Sequence, residues 1–214
     1  MGKLVLLVFG IHHILGRCSV PSKGILFKIF IGQSQVSFVC IFFRILDFKC
    51  QGLIYFCIQI CIYSEFGQII QETRVDEFVS INRGYTKKFA TDTVIETDAE
   101  GGKPVISMYE TQPIGLPFRL REMERHPLSS QTFIKIDPNP SIAIVCKAGE
   151  FKVDGLEAFL VGPKQSISFG KGTWHHFNLC LDAPTRFIVI EREGQGLNCD
   201  EFYIPDDVAI TIER

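Results

Sequence analysis

The sequence predicts an all-β fold, a sandwich or barrel of short strands, for the part of the chain after residue 62. Short apolar or alternating runs recur there at close intervals, and clusters of turn-forming residues separate them. The apolar period of an amphipathic helix is nearly absent. A chain of about 150 residues buries roughly two-thirds of its surface on folding, which is enough for an independent core.

Six runs are predicted to be strands: residues 105–109, 132–136, 141–146, 156–161, 166–169 and 186–190. The turn formers between them include Asp137-Pro138-Asn139-Pro140, Asp154-Gly155, Gly162-Pro163, Gly170-Lys171-Gly172 and Asp182-Ala183-Pro184. Residues 65–70 are predicted to form one helical turn, and residues 119–125 are too short and too charged to be a core helix.

The first 62 residues have a different composition. They carry six basic residues and one acid, a local charge of +5, whereas the remainder carries 16 basic and 23 acidic residues, a charge of −7. They are rich in Ile, Phe, Leu, Val and Cys but lack a regular period, helix caps and turn clusters. We therefore predict an extension over residues 1–62 and one domain over residues 63–214.

Two hypotheses account for this extension. It is either a disordered segment without a core of its own or non-coding sequence translated from a faulty gene model. Peptides from residues 1–62 in a mass spectrum of the native protein would contradict the second hypothesis.

The extension carries no convincing membrane or metal signal. Polar and charged residues interrupt every window of about 20 residues that a membrane-spanning helix needs. A signal peptide is an alternative, because Lys3 precedes an apolar run, but His12-His13 stands where a small-residue cleavage site is expected. Cys57-x-x-x-Cys61 lacks a second pair with zinc-type spacing, so we interpret both cysteines as apolar residues.

The number of cysteines indicates the cellular compartment, and the net charge restricts the class of binding partner. Cys146, Cys180 and Cys199 are odd in number and lack a paired spacing, which predicts a reduced, cytoplasmic protein rather than a disulfide framework. A net charge of −2 gives no electrostatic reason to expect a nucleic acid partner.

The predicted domain has three histidines, His126, His175 and His176. Residues two apart in a strand face the same side, so Glu124 and His126 point into one cavity, and Gln131 joins them after a turn. His175 follows a glycine turn at the start of another strand. Two imidazoles and a carboxylate that converge can bind a divalent metal or act as acid and base. Taken one at a time, each histidine also has a purely structural interpretation: His126 satisfies a turn, and His175 caps a strand.

The two histidine phrases resemble the two motifs of the cupins. The first motif, His-x-His followed by Glu, is matched by Glu124-x-His126-x-x-x-x-Gln131. The second, Pro-x-Gly-x-x-His, is matched by Gly170-x-Gly172-x-x-His175. The resemblance implies a double-stranded β-helix, or jelly-roll barrel, and a metal site at Glu124, His126, Gln131 and His175. Two of these positions depart from the usual ligands, since Glu replaces a His and Gln replaces the acid.

Six phrases along the domain form a further pattern: Tyr63-Ser64-Glu65-Phe66-Gly67-Gln68-Ile69-Ile70, Ser80-Ile81-Asn82, Glu124-Arg125-His126-Pro127, Trp174-His175-His176, Glu191-Arg192 and Asn198-Cys199-Asp200. Together these phrases resemble the ureidoglycolate lyase family of allantoin breakdown. The resemblance spans residues 63–205, and residues 1–62 have no counterpart in it.

The resemblance implies a carbon–nitrogen lyase that splits (S)-ureidoglycolate into glyoxylate and urea without a redox cofactor. A base must take the hydroxyl proton, an acid must protonate the departing nitrogen, and a cation must hold the carboxylate. We expect His126 and His175 to lie on either side of the reacting carbon. They act on it directly or through a divalent metal of the nickel, manganese or zinc class. Glu124 is a ligand or the partner of an imidazole.

The remaining assignments concern substrate binding. Lys171 is the first candidate for the carboxylate and Arg125 the second. Asn82 and Gln131 can hydrogen-bond the ureido group, because amides both donate and accept. Trp174 is either a pocket wall or a core residue, and His176 should face away from His175.

Two other functions stay open: another cupin enzyme, an isomerase or dioxygenase, acting on a small polar acid, and a non-catalytic cupin that binds a small acid. Oxygen consumption would identify the dioxygenase, and binding without urea release would identify the non-catalytic protein. The family resemblance also implies a homodimer.

Overall fold

The computed structural model describes residues 63–71, 78–91 and 93–213, together with the backbone alone of residues 3–7, 28–31 and 34–37. The strands are β1 (Lys3–Leu7), β2 (Lys28–Ile31), β3 (Ser34–Ser37), β4 (Gly67–Ile70), β5 (Val79–Ile81), β6 (Thr86–Lys88), β7 (Lys103–Thr111), β8 (Phe118–Leu120), β9 (Glu122–Arg125), β10 (Gln131–Lys135), β11 (Ser141–Cys146), β12 (Glu157–Val161), β13 (Ser166–Phe169), β14 (Trp174–His175), β15 (Leu179–Cys180), β16 (Thr185–Glu193), β17 (Asp200–Tyr203) and β18 (Ala209–Glu213). Within the same ranges, the named helical elements are single 3-10 turns at Asn82–Gly84, Ala99–Gly101 and Val153–Gly155.

Two antiparallel sheets form the body of the domain. The five-stranded sheet has the order β4-β13-β10-β16-β7. The six-stranded sheet has the order β12-β11-β14-β9-β17, with β15 also paired to β11. Their many crossover connections place strands from distant parts of the sequence side by side.

Strand β11 lies at the centre of the molecule, and all six of its residues are buried. Ala143 and Val145 contribute to a core between the two sheets, which we call the barrel core, with aromatic residues such as Phe133, Phe169 and Phe187. The alternating residues Ile142, Ile144 and Cys146 face a second core. Such a strand reads as a continuous apolar run because both of its faces are covered.

The second core lies between the six-stranded sheet and a three-stranded sheet. It contains Leu120 of β8 and Ile210 and Ile212 of β18. Strand β18 pairs antiparallel with β8 and parallel with β1. Short hairpins are formed by β2 with β3 and by β5 with β6.

The all-β prediction is confirmed, and each of the six predicted strands overlaps an observed one. One local prediction is wrong: a turn occupies only the start of residues 65–70, where the Phe66 amide donates to the Tyr63 carbonyl. Residues 67–70 form β4 because they pair with β13 at the edge of the sheet. Gly67 permits this approach, since a Cβ atom there would lie 1.9 Å from the Ser168 carbonyl oxygen.

Three sequence predictions concern the thiols, the membrane and the extension. Cys146, Cys180 and Cys199 are free thiols. Among the described residues, no helix is long and apolar enough to cross a membrane. His12-His13 and Cys57-x-x-x-Cys61 lie outside the described residues, and the domain boundary at residue 62 stays a prediction.

Candidate active site

The candidate catalytic residues of β9 and β14 face the barrel core. His175 of β14 lies opposite Val145 on one side and opposite Glu124 of β9 on the other. Directly opposed residues share a face of the sheet, so Glu124 and His175 point the same way as Val145. His126 follows Glu124 by two positions at the end of β9. The antiparallel pairing therefore unites side chains that are about 50 residues apart in the sequence.

Glu124, His126 and His175 form a compact cluster. Each offers one ligand atom, and these atoms all lie within 4.8 Å of one another. The two imidazole rings have centroids 5.2 Å apart and an interplanar angle of 48°. Glu124 Oε1 lies 3.7 Å from His175 Nδ1, which is too long for a hydrogen bond.

Asn198 determines which nitrogen of His126 carries the proton. Its carbonyl oxygen lies 2.6 Å from His126 Nδ1. A carbonyl can only accept, so Nδ1 donates its proton there and Nε2 of the neutral ring presents a lone pair. Nε2 is buried and has no hydrogen-bond partner. The Asn198 side chain also fixes the chain beyond His126, because Oδ1 accepts from the Leu128 amide and Nδ2 donates to Ser129 Oγ.

His175 is almost completely buried, with 1% of its surface exposed. The Phe169 ring stacks on it with centroids 4.2 Å apart and an interplanar angle of 1°. Neither imidazole nitrogen has a hydrogen-bond partner. Burial, and then the neighbouring His126, hold the pKa of His175 well below its ordinary value, so the ring is neutral.

Glu124 is the acidic member of the cluster. Burial raises its pKa, as do the nearby Glu201 and Glu122 carboxylates, while His126 acts in the opposite direction. Glu124 and His175 line a small cavity of about 100 Å³. The cluster as a whole, one carboxylate and two imidazoles, is suited to proton transfer and to holding a cation.

The residues fit a divalent metal ion. His126 Nε2 and both nitrogens of His175 are buried lone-pair or N–H groups without a partner, which costs free energy unless a ligand satisfies them. The bond from His126 Nδ1 to a backbone carbonyl is the usual way in which proteins orient a metal-binding imidazole. Two nitrogen ligands and one carboxylate suit a first-row divalent ion.

Gln131, the fourth predicted ligand, lies on β10 of the opposite sheet. It is buried and stands opposite Phe169 of β13. Its Oε1 is buried without a hydrogen-bond partner. The structure therefore brings an unsatisfied acceptor to the same core, and ligation by Gln131 stays a prediction.

Lys171 lies on the glycine turn next to the cluster but on the wall of a different cavity. The Gly172 amide donates to the His126 carbonyl at 2.9 Å, so this turn contacts the site through the backbone. The Lys171 side chain is exposed and lines a cavity of about 270 Å³ together with Glu96, Ser130 and Thr173.

Arg125 and Trp174 point away from the cluster. Arg125 pairs with Asp200 at 2.8 Å, donates to the Gly149 carbonyl and lies 4.6 Å from the Trp174 ring. Trp174 donates to the same carbonyl and belongs to the second core. Strand alternation explains this, because each is one position from a residue that faces the barrel core.

Asn82 and His176 are likewise not in the cluster. Asn82 lies in the exposed turn between β5 and β6, where its side-chain amide donates to Thr86 Oγ1. His176 is buried, approaches the carbonyl of Phe177 through Nδ1, and packs against the Phe118 ring. The predicted separation of His176 from His175 agrees with these contacts.

Sequence reasoning missed the residues that support the imidazoles. Phe169 ends a predicted strand just before the glycine turn that leads to His175. This closeness in sequence was only a weak indication that the two rings are in contact. Asn198 belongs to a phrase used for the family resemblance, but its contact with His126 spans 72 positions and has no sequence signature.

The two facing sheets and the Glu-His-His cluster on their inner side define a cupin-like barrel with a candidate site for a small molecule or a metal. The family model described as ureidoglycolate lyase matches residues 57–211. The chain belongs to the ureidoglycolate lyase family.

Curated relatives named ureidoglycolate lyase support this assignment. The protein of Pseudomonas paraeruginosa is 34% identical over 152 residues, which cover 71% of this chain and 89% of the relative. A Burkholderia mallei relative is 35% identical over 149 residues, covering 70% and 87%. A Burkholderia cepacia relative is 39% identical over 152 residues, covering 71% and 84%.

Proposed function

We propose that this protein is a ureidoglycolate lyase that splits ureidoglycolate into glyoxylate and urea. Family membership over residues 57–211 supports the assignment. The observation that carries it is the cluster of Glu124, His126 and His175, whose ligand atoms lie within 4.8 Å of one another. Proton transfer groups of this kind are what the reaction requires.

The reaction is a proton-coupled elimination without oxidation or reduction. One carbon of the substrate bears a hydroxyl, a carboxylate and the ureido nitrogen. The hydroxyl loses its proton, the carbon–oxygen bond becomes a carbonyl, and the carbon–nitrogen bond breaks. The electron pair of that bond stays on the nitrogen, which takes up a proton and leaves as urea.

Without a bound metal ion, His126 is the base in this proposal, because the lone pair of Nε2 cannot coordinate a metal and accept a proton at the same time. Its Nδ1 is engaged with the Asn198 carbonyl at 2.6 Å, so Nε2 is the nitrogen that can accept the hydroxyl proton. Glu124 and His175 orient the reacting carbon and can return a proton to the departing nitrogen. The flat contact with Phe169 holds the His175 ring in a fixed plane.

A divalent ion would be held by Glu124, His126 and His175, with Gln131 as the proposed fourth ligand. When bound there, it would supply a Lewis acid that polarises the substrate hydroxyl or carboxylate. A ureido contact is the alternative role of Gln131, and the metal content of Gln131→Ala distinguishes the two roles.

The substrate carboxylate needs a cation, and Lys171 is the first candidate. It lies on the turn whose Gly172 amide donates to the His126 carbonyl. Arg125 is the second candidate, although its guanidinium is engaged with Asp200 and Gly149. Asn82 keeps its proposed role in binding the ureido group, whereas the position of Trp174 in the second core supports the other of its two predicted roles, that of a core residue. Family resemblance further supports the (S)-substrate, allantoin breakdown, a cytoplasmic location and a homodimer.

Product analysis tests the proposed function. The full chain is incubated with racemic ureidoglycolate, with and without a chelator and added Ni²⁺, Mn²⁺ or Zn²⁺, and spontaneous decay is subtracted. Urea and glyoxylate in equal amounts, from half of the racemate, support the lyase. Ammonia in place of urea would indicate a hydrolase, and oxygen consumption would indicate a dioxygenase.

A further inference from the structure

A second polar group lies on the inner face of the five-stranded sheet. Ser107 of β7 stands opposite Val189 of β16, and Tyr109 stands opposite Phe187. Val189 and Phe187 belong to the barrel core, and Glu191 follows Val189 by two positions on the same strand. Alternation therefore places Ser107, Tyr109 and Glu191, which we call the Glu191 group, on the face that looks toward the six-stranded sheet.

Hydrogen bonds fix the Glu191 carboxylate. Ser107 Oγ donates to Oε1 at 2.6 Å, and the Tyr109 hydroxyl donates to Oε2 at 3.1 Å. Among the described residues, no Lys, Arg or His forms an ion pair with this carboxylate. An ionised carboxylate accepts about four hydrogen bonds, so each Glu191 oxygen retains an acceptor position.

The Glu191 group faces the same interior as the catalytic cluster. The Tyr109 ring contacts Phe133 with centroids 6.0 Å apart, and Phe133 contacts Phe169, which stacks on His175. Burial and then its own carboxylate partner raise the pKa of Tyr109 to about 12, and the charge of Glu124 adds to the increase.

Gln131 adds another acceptor beside this group. In the pairing of β10 with β16, Phe133 stands opposite Val189 and Thr132 opposite Ile190. Continuing that register by one position brings Gln131 level with Glu191. Its Oε1 is buried and has no partner, so this wall combines an unsatisfied amide oxygen with a carboxylate that can accept further hydrogen bonds.

The two ends of ureidoglycolate have opposite hydrogen-bonding needs. The ureido end carries three N–H donors and a single carbonyl acceptor, whereas the other end carries a carboxylate. A carboxylate with a free acceptor position on each oxygen matches a pair of parallel N–H groups. We propose that Glu191 binds the N–H groups of the ureido end, with Ser107 and Tyr109 as the positioning residues that hold its carboxylate.

This inference rests on the proposed function, and Glu191→Gln tests it. The variant keeps the shape of the side chain but replaces one acceptor oxygen with a donor and removes the charge. Because hydrogen bonds to charged groups are the stronger ones, we expect kcat/KM for ureidoglycolate to fall about tenfold or more, mainly through KM. Glu110→Gln is the matched control, since Glu110 is exposed and lies on the opposite face of β7.

Product inhibition separates ureido recognition from a general defect. For Glu191→Gln, the inhibition constant of urea should rise about tenfold while that of glyoxylate stays unchanged, because only urea carries the N–H groups. Tyr109→Phe and Ser107→Ala should show the same split with smaller changes, and they carry the test if Glu191→Gln fails to fold. Equal changes for urea and glyoxylate would overturn the inference.

The controls distinguish a failure of the proposed function from a failure of the proposed role of Glu191. A wild-type protein that releases no urea contradicts the proposed function itself. An active wild type with Glu191→Gln indistinguishable from Glu110→Gln contradicts only the role of Glu191.

Discussion

Replacing Asn198 by Ala should weaken both the fold and the site, because its side chain fixes the segment that carries His126. Oδ1 accepts from the Leu128 amide at 2.8 Å, and Nδ2 donates to Ser129 Oγ at 2.9 Å. Each hydrogen bond contributes about 0.5–1.5 kcal/mol, and a buried group left unpaired adds to the loss. Ser129 is 1% exposed, so water does not readily replace its lost partner.

The expected loss is therefore about 2–3 kcal/mol in the free energy of unfolding. For a domain of this size, about 1 kcal/mol lowers the melting temperature by about 2–4 °C. The backbone carbonyl that orients His126 would also shift, and disturbed second-layer contacts typically reduce metal affinity or activity by about 10–100-fold. The assay combines urea denaturation, turnover of ureidoglycolate and competition for metal with a chelating dye.

Two variants serve as controls. Asn139→Ala removes an exposed amide that donates only to the Pro184 carbonyl, and it should change stability little. Asn198→Asp keeps the acceptor for Leu128 and can accept from the Ser129 hydroxyl, so it should restore most of the stability. If Asn198→Ala is destabilised but retains full activity and metal affinity, then Asn198 does not position His126.

Further predictions concern catalysis, pH, packing and the extension. His126→Ala and His175→Ala should abolish urea release without unfolding the domain, as monitored by circular dichroism, and unchanged turnover would exclude the residue. Burial lowers the pKa of Lys135 from 10.5 to about 8, so the unfolded chain binds its proton more tightly and stability should rise from about pH 8 to 10.5. Denaturation curves should show that Lys135→Met reduces this slope; an equal slope would refute the assignment. Gly67→Ala should lower the melting temperature measurably, since its Cβ would lie 1.9 Å from a carbonyl oxygen. Residues 63–214 alone should retain turnover, and loss of folding on truncation would contradict the domain boundary.

The strands could be predicted from the sequence, and so could the shared face of Glu124 and His126, because both depend on the local residue pattern. Apolar alternation and turn formers mark each strand, and residues two apart share a face whatever the strand pairs with. The long strand β16 extends beyond its predicted bounds because its polar last residues, ending at Glu193, continue the pairing with β7. Pairing partners, rather than composition, determine where such a strand ends.

The remainder of the site could not be predicted because it depends on distant pairings and loop directions. Lys171 was placed beside His175 in sequence, but the glycine turn directs its side chain to another cavity. The Asn198 carbonyl lies beside His126 because β17, which begins two residues later, pairs with β9. Glu191 was part of a recognised phrase, yet its partners Ser107 and Tyr109 come from a strand more than 80 positions away.

Alternation along β9 places the side chains of the candidate active site on one face of the strand and the side chains that stabilise the fold on the other. Met123 is buried in the second core, and Arg125 is held by Asp200 and the Gly149 carbonyl, so these positions fasten the strand. Glu124 and His126 point into the barrel core, where their polar atoms have few protein partners. Since adjacent residues thus have different surroundings, a Met123→Ala variant should lose stability while its kcat is retained. His126→Asn should show the reverse, because it removes a lone pair that only the reaction or a metal uses. A common loss of stability and kcat in both variants would mean that the two faces are not independent.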